Sequence, residues 1–196
     1  KMIEEGMDFD DALALATELG YAEADPTADI EGLDAGRKVA IMASIAFHSR
    51  VTFDDVYTEG ITKITKTDIE YAKALHASIK LLGTSKWEDD GKIYSMVAPF
   101  MIDSDHPLGH VNGVFNGIFV NGNMLGDTMF YGKGAGKLPT ASAVVADVVD
   151  ALKHGSKVHD SLFWQPAEPV EGMLTDPAPA AYYVLSLIHI SEPTRH

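Results

Sequence analysis

Apolar positions first fall into helical step at Phe9, Ala12, Leu13, Ala16 and Leu19, behind Asp8 as an N-cap and ahead of Gly20 as a stop. A helix over 9–19 is predicted. The stretch from Tyr21 to Asp29 contains Asp25-Pro26, and a residue before proline is pushed out of the helical region, so an ordered turn or loop follows. A second helix is expected from Gly32-Leu33-Asp34 through Lys38 to about Phe47. Its stretch from Val39 to Phe47 is apolar nearly all round, the pattern of a buried helix.

Beyond it, Ile61-Thr62-Lys63-Ile64 alternates as a short strand, and Thr67-Asp68-Ile69-Glu70 has the form of a capping box for a helix to about Ile79. Residues 80–87 and 92–102 read as two strands across the turn Asp89-Asp90-Gly91. Residues 114–120 and 124–131 form a second predicted hairpin across Asn121-Gly122, a dipeptide suited to positive φ. A last helix is expected from about Thr140 to Lys153. Helices first and last with adjacent strands between give an α+β class, a mixed, largely antiparallel sheet covered by helices.

The chain opens on Lys1 with a helix signal already at Asp8, which reads as the continuation of upstream sequence. Residues 156–180, with Pro166, Pro169, Pro177 and Pro179 and no sustained periodicity, read as a linker. Strand character returns at 181–185, as the opening of a second domain, and 186–196 resembles translated adapter sequence rather than native protein.

Hydrophobic residues make up 46% of the 196 and charged residues 22%, the balance of an ordinary globular chain. Lysine and arginine total 15 against 29 acids, a net charge of -14 that would repel a phosphate backbone, so nucleic acid is not an expected partner. With 0 cysteines there is no disulfide, thiolate zinc site or cysteine nucleophile. No apolar run approaches the ~20 residues that span a bilayer, and no signal peptide is visible, so no membrane association and a cytoplasmic location are expected.

Chemistry concentrates before the second helix, where Glu23, Asp25, Asp29, Glu31 and Asp34 crowd together. Asp34 and Lys38 are spaced to share one helical face in the favourable acid-before-base order. On spacing alone this is also the pattern of a common surface pair, contributing about 0.3–0.5 kcal/mol. The greasy helix that follows suggests instead a partly desolvated lysine whose proton is retained by the carboxylate beside it, poised for acid or base work or for holding a developing alkoxide. The other acids would suit an ammonium ligand, or simply form a solvated loop face.

A second feature runs from Met129 to Thr140: a strand, the glycines Gly132, Gly134 and Gly136, then a helix. It reads either as a tight connection or as a place where backbone meets ligand. A dinucleotide fingerprint would need glycine where Lys137 stands. The 8 histidines are scattered, and although His106 and His110 are four apart, Pro107 and Gly109 argue against a helix that would join their rings, so no metal site is expected.

The segment Gly20-Tyr21-Ala22-Glu23-Ala24-Asp25-Pro26-Thr27-Ala28-Asp29-Ile30-Glu31-Gly32-Leu33-Asp34-Ala35-Gly36-Arg37-Lys38 resembles the signature of the homoserine dehydrogenase family. His106-Pro107-Leu108, Asn112-Gly113-Val114-Phe115-Asn116, Gly134-Ala135-Gly136 and Pro139-Thr140-Ala141 also resemble that family, in the same order. The resemblance covers roughly Lys1 to His154, so 1–155 is expected to be an N-terminally truncated catalytic (substrate) domain, and 181–185 the start of a truncated ACT domain.

The resemblance implies NAD(P)-dependent interconversion of L-aspartate 4-semialdehyde and L-homoserine, on the route to threonine, methionine and isoleucine. It implies Lys38 as the catalytic lysine that handles the proton of the substrate oxygen and Asp34 as the residue that orients it. Glu23, Asp29 and Tyr21 would bind substrate, and Gly136 would touch the nicotinamide cofactor, NADP or NAD. A homodimer is expected. Because the family's Rossmann half does not occur in the sequence, the chain alone is expected to lack measurable dehydrogenase activity. The alternatives are a dimerisation and allosteric relay module, or the substrate half of a dehydrogenase acting on another amino-acid aldehyde.

Overall fold

The computed structural model describes residues 2–22, 25–89, 91–134 and 136–155. The linker, ACT strand and tail expected over 156–196 lie outside them. The elements run α1 (Met2–Glu5), α2 (Phe9–Glu18), α3 (Thr27–Ile30), α4 (Leu33–Phe47), β1 (Tyr57–Thr58), α5 (Lys66–Ala74), β2 (Ala77–Trp87), β3 (Ile93–Asp103), β4 (Phe115–Gly122), β5 (Gly126–Lys133) and α6 (Lys137–His154). Short 3₁₀ turns cover Phe53–Asp55 and Pro107–His110. The expected class holds: helices flank a mixed three-stranded sheet and an antiparallel pair.

In the larger sheet β3 is central, parallel to β1 and antiparallel to β2, with Gly83 opposite Val97 and Lys80 opposite Phe100. Strand side chains alternate between faces, and here both faces are covered along β3. Ile93 and Val97 pack with Val39, Ala40 and Ala43 of α4, together with Val51 and Val56. Tyr94, Met96 and Ala98 form a second cluster with Phe100. Val97 is fully buried (0% exposed) and fixes α4 to the sheet.

Helix α4 is buried on one side only, which corrects the expectation of a buried helix. Gly36, Val39, Ala40 and Ala43 recur at three and four residues and are buried, whereas Ile41, Met42 and Ile45 are exposed. A single sheet covers a single stripe of a helix, and an apolar run does not reveal how many faces are covered.

Other differences have local causes. No strand forms at 61–64: Ile61 donates its N–H to the Ile30 carbonyl, a turn closes from Ile64 to Ile61, and the parallel strand is β1 instead. The capping box sits at Thr65 and Asp68 rather than Thr67 and Glu70, with the Thr65 N–H 2.8 Å from Asp68 Oδ2. Its helix stops at Ala74 because Leu75 and His76 turn the chain, His76 at φ 56, into the long ladder of β2 with β3.

In the second hairpin Asn121 and Gly122 are the last residues of β4, paired with Asp127 and Gly126, so the turn falls on 123–125 and not on Asn121-Gly122. Asn121 Nδ2 donates to Asp127 Oδ1 at 2.5 Å, which pins that register. The last helix starts at Lys137, earlier than expected, since Pro139 lies in its first turn, where no intrahelical N–H bond is lost. None of the residues of α6 is buried, and its apolar stripe of Val144, Val145, Val148, Val149 and Leu152 is exposed.

Candidate active site

The stretch that carries the acids is held by its own side chains. Asp25 accepts hydrogen bonds from the Thr27 hydroxyl at 2.6 Å and the Thr27 N–H at 3.1 Å, an Asx turn that opens α3 within the expected loop. Those bonds, the hydroxyl's first and the N–H second, hold the Asp25 carboxyl below its usual range. Asp25 is therefore a turn residue. Asp29 lies on α3, exposed, and the Ile30 carbonyl ties the end of that helix to Ile61. Tyr21 stands exposed in the turn after α2, and Glu23 lies outside the described residues.

Asp34 and Lys38 follow in the first turns of α4, and their side chains meet, with Lys38 Nζ 2.7 Å from Asp34 Oδ2. The spacing argument holds. The desolvation argument does not: the lysine side chain is 67% exposed, because it leaves the helix on the side that the sheet does not cover. Arg37, its neighbour, lays its guanidinium over the Phe53 ring at 5.6 Å. The result is an ammonium held in place by a carboxylate and presented to solvent, able to hydrogen-bond an incoming oxygen and to give it a proton.

Gly136 occupies a different part of the fold, at the junction of β5 and α6. Its φ of 120 is a conformation that side-chain-bearing residues rarely adopt, and its carbonyl accepts the Thr140 N–H at 3.1 Å to start the helix. This leaves bare backbone beside the first turn of an 18-residue helix, which suits a ligand that must approach closely.

His106 serves as a cap, its Nδ1 accepting from the Leu108 N–H at 3.1 Å, and its ring lies 4.9 Å from that of Phe119. The described residues instead place His76, Asp103 and Asp105 within 4.8 Å of one another, all exposed, a set of ligand atoms that could hold a metal ion. Sequence spacing conceals this trio. It forms because Ala77 and Asp103 are the end rung of the ladder joining β2 to β3. Also unanticipated is Lys80, which reaches from β2 to the loop before β4.

Residues 1–149 match the family model described as homoserine dehydrogenase. The homoserine dehydrogenase of Corynebacterium glutamicum is 55% identical over 159 residues, covering 79% of this chain and 35% of that protein. A crystal structure of the Staphylococcus aureus homoserine dehydrogenase superposes with a TM-score of 0.72 at 46% identity, covering 79% of this chain and 38% of that one. A hyperthermophilic archaeal homoserine dehydrogenase, solved in complex with NADPH, superposes with a TM-score of 0.62 at 32% identity, covering 78% of this chain and 43% of that one. The chain thus spans about a third of the length of the curated relatives it matches. With that match over most of its length, the chain belongs to the homoserine dehydrogenase family.

Proposed function

We propose that this chain supplies the substrate-handling part of an NAD(P)-dependent homoserine dehydrogenase, which interconverts L-aspartate 4-semialdehyde and L-homoserine. The observation that carries this reading is the Asp34–Lys38 pair: a titratable ammonium fixed by a carboxylate at 2.7 Å on the open side of α4.

The nicotinamide cofactor, when bound, supplies or accepts the hydride. In the reductive direction negative charge grows on the aldehyde oxygen, and Lys38 stabilises it and delivers a proton from Nζ. In the oxidative direction the same amine takes the proton back. Asp34 limits the rotamers of Lys38 and so orients its Nζ. Glu23, Asp29 and Tyr21 are assigned to binding the amino acid, the carboxylates complementing its ammonium group. Gly136, with no side chain to intrude, would be a contact for the nicotinamide cofactor, NADP or NAD.

This reading places the protein in the cytoplasm as a homodimer. Among the described residues no helix is long and apolar enough to cross a membrane, and the exposed apolar stripe of α6 supports burial against further protein. The test is a transplant in which the matched segment of this chain replaces its counterpart in the Corynebacterium glutamicum enzyme. The chimera is expected to oxidise NADPH with L-aspartate 4-semialdehyde, and to stop doing so when Lys38→Met is introduced. A folded chimera without turnover, or one indifferent to Lys38→Met, overturns the reading.

A further inference from the structure

Lys80 stands half-buried on β2, on the sheet face opposite α4, since Leu81 and Gly83 beside it in alternation face the helix core. From there its Nζ donates to the Val111 carbonyl at 2.8 Å and to Asn112 Oδ1 at 2.5 Å, across more than thirty residues of chain. The loop it grips leads directly into β4, with the Phe115 N–H donating to the Asn112 carbonyl at 3.3 Å. The same loop packs on β4 from above: a Cβ on Gly117 would lie 3.0 Å from Val111 Cγ2 and 3.1 Å from Leu108 Cδ2.

Asn116, next on β4, is pressed against the glycine turn. A Cβ on Gly134 would collide with Asn116 Nδ2 and stand 3.0 Å from Asn116 Cγ, so the turn leaving β5 lies directly on that amide. Phe115 and Tyr131 stack at 4.8 Å and 5°, and Asn116 pairs with Gly132, which couples both strands to the same turn. A continuous set of contacts therefore runs from Lys80 through Asn112, Phe115 and Asn116 to Gly134, two positions before Gly136. The ammonium binds two oxygen acceptors at one end of it, and charge-assisted bonds of this kind are about twice as strong as neutral ones.

We propose that Lys80 is a positioning residue that holds the loop at 111–116, and through Asn116 the glycine turn, in the geometry that receives the cofactor. It touches neither substrate nor cofactor, and the inference rests on the assignment of Gly136 to the cofactor. Removing the clamp should loosen the turn and weaken the nucleotide while leaving the Asp34–Lys38 pair, on the other face of the sheet, untouched.

Two measurements test this with Lys80→Met, Lys80→Arg and Asn112→Ala. In the purified chain, amide hydrogen exchange at 113–117 and 132–134 is expected to quicken at least tenfold in Lys80→Met and Asn112→Ala, with α4 and β3 unchanged and Lys80→Arg partly restoring protection. In the chimera, the NADPH dissociation constant read by fluorescence is expected to rise about tenfold, with the KM for aspartate semialdehyde unchanged. Unaltered exchange in these segments overturns the clamp. Altered exchange with an unaltered NADPH constant overturns its role toward the cofactor, and an equal rise in both constants does the same by showing general loosening. If Lys80→Met does not fold, Asn112→Ala decides. A chimera that binds NADPH but does not reduce the semialdehyde counts against the reading of the reaction, not against the clamp.

Discussion

Asp34 and Lys38 pair at 2.7 Å across one turn of α4 while the lysine remains 67% exposed, so the pair is preformed and open at once. An exposed ion pair adds little to stability, so a large effect of either residue on turnover would have to come from chemistry and not from folding.

Replacing Lys38 by arginine keeps the charge and withholds the proton, because a guanidinium does not titrate in a protein. In the chimera, Lys38→Arg is expected to lower kcat by roughly 100- to 10,000-fold, with the NADPH dissociation constant changed little. Near-normal turnover would remove the proton-transfer role.

Asp34→Asn separates stability from catalysis. The urea midpoint should report a loss of no more than about 0.5 kcal/mol, as for an exposed i,i+4 pair, whereas kcat should fall by tenfold or more. Equal and small effects on both would make Asp34 an ordinary surface residue.

For Glu23→Leu, the KM for aspartate semialdehyde should rise more than kcat falls, the signature of lost binding shared by ground and transition states. A fall in kcat matching the fall in kcat/KM would point to a part in the chemistry.

Asp25 should titrate below 3.8, measured by carboxyl carbon NMR, because the Thr27 hydroxyl and N–H favour its charged form. Its folded value being depressed, its stabilising contribution is present above 3.8 and is lost as the pH falls through the folded value. Thr27→Ala should return the midpoint towards the ordinary value, and an unmoved midpoint would sink the turn assignment.

Val97, fully buried on β3 beneath α4, is the core residue best suited to a cavity test. Val97→Ala is expected to cost roughly 2–3 kcal/mol, the lost methyl burial plus the void left behind. Calorimetry or urea unfolding measures it.

Much of the fold is legible in the sequence where short-range physics decides. The apolar spacing of α2, the start of α4 and the Asp34–Lys38 pair depend on residues within a turn or two, and each stands where that spacing puts it. What long-range pairing decides is less legible. Ile79 carries a plausible helical pattern yet belongs to β2, because pairing with Met101 along a full ladder outweighs local preference. Asn121-Gly122 has the chemistry of a tight turn yet lies within strand, because register is set by the rungs to Asp127 and Gly126. The solvation of Lys38 is illegible for a related reason: the greasiness of α4 is local information, but which side the sheet covers is not. Lys80 and the trio of His76, Asp103 and Asp105 become visible only when the strands are laid side by side.

Helix α6 closes the described chain with 18 residues, none of them buried. In proteins most helical stability comes from an apolar face packed against something else and not from propensity alone. Its valine stripe is where burial would add to that stability: covering Val145, Val148 and Val149 would strengthen the helix that carries them.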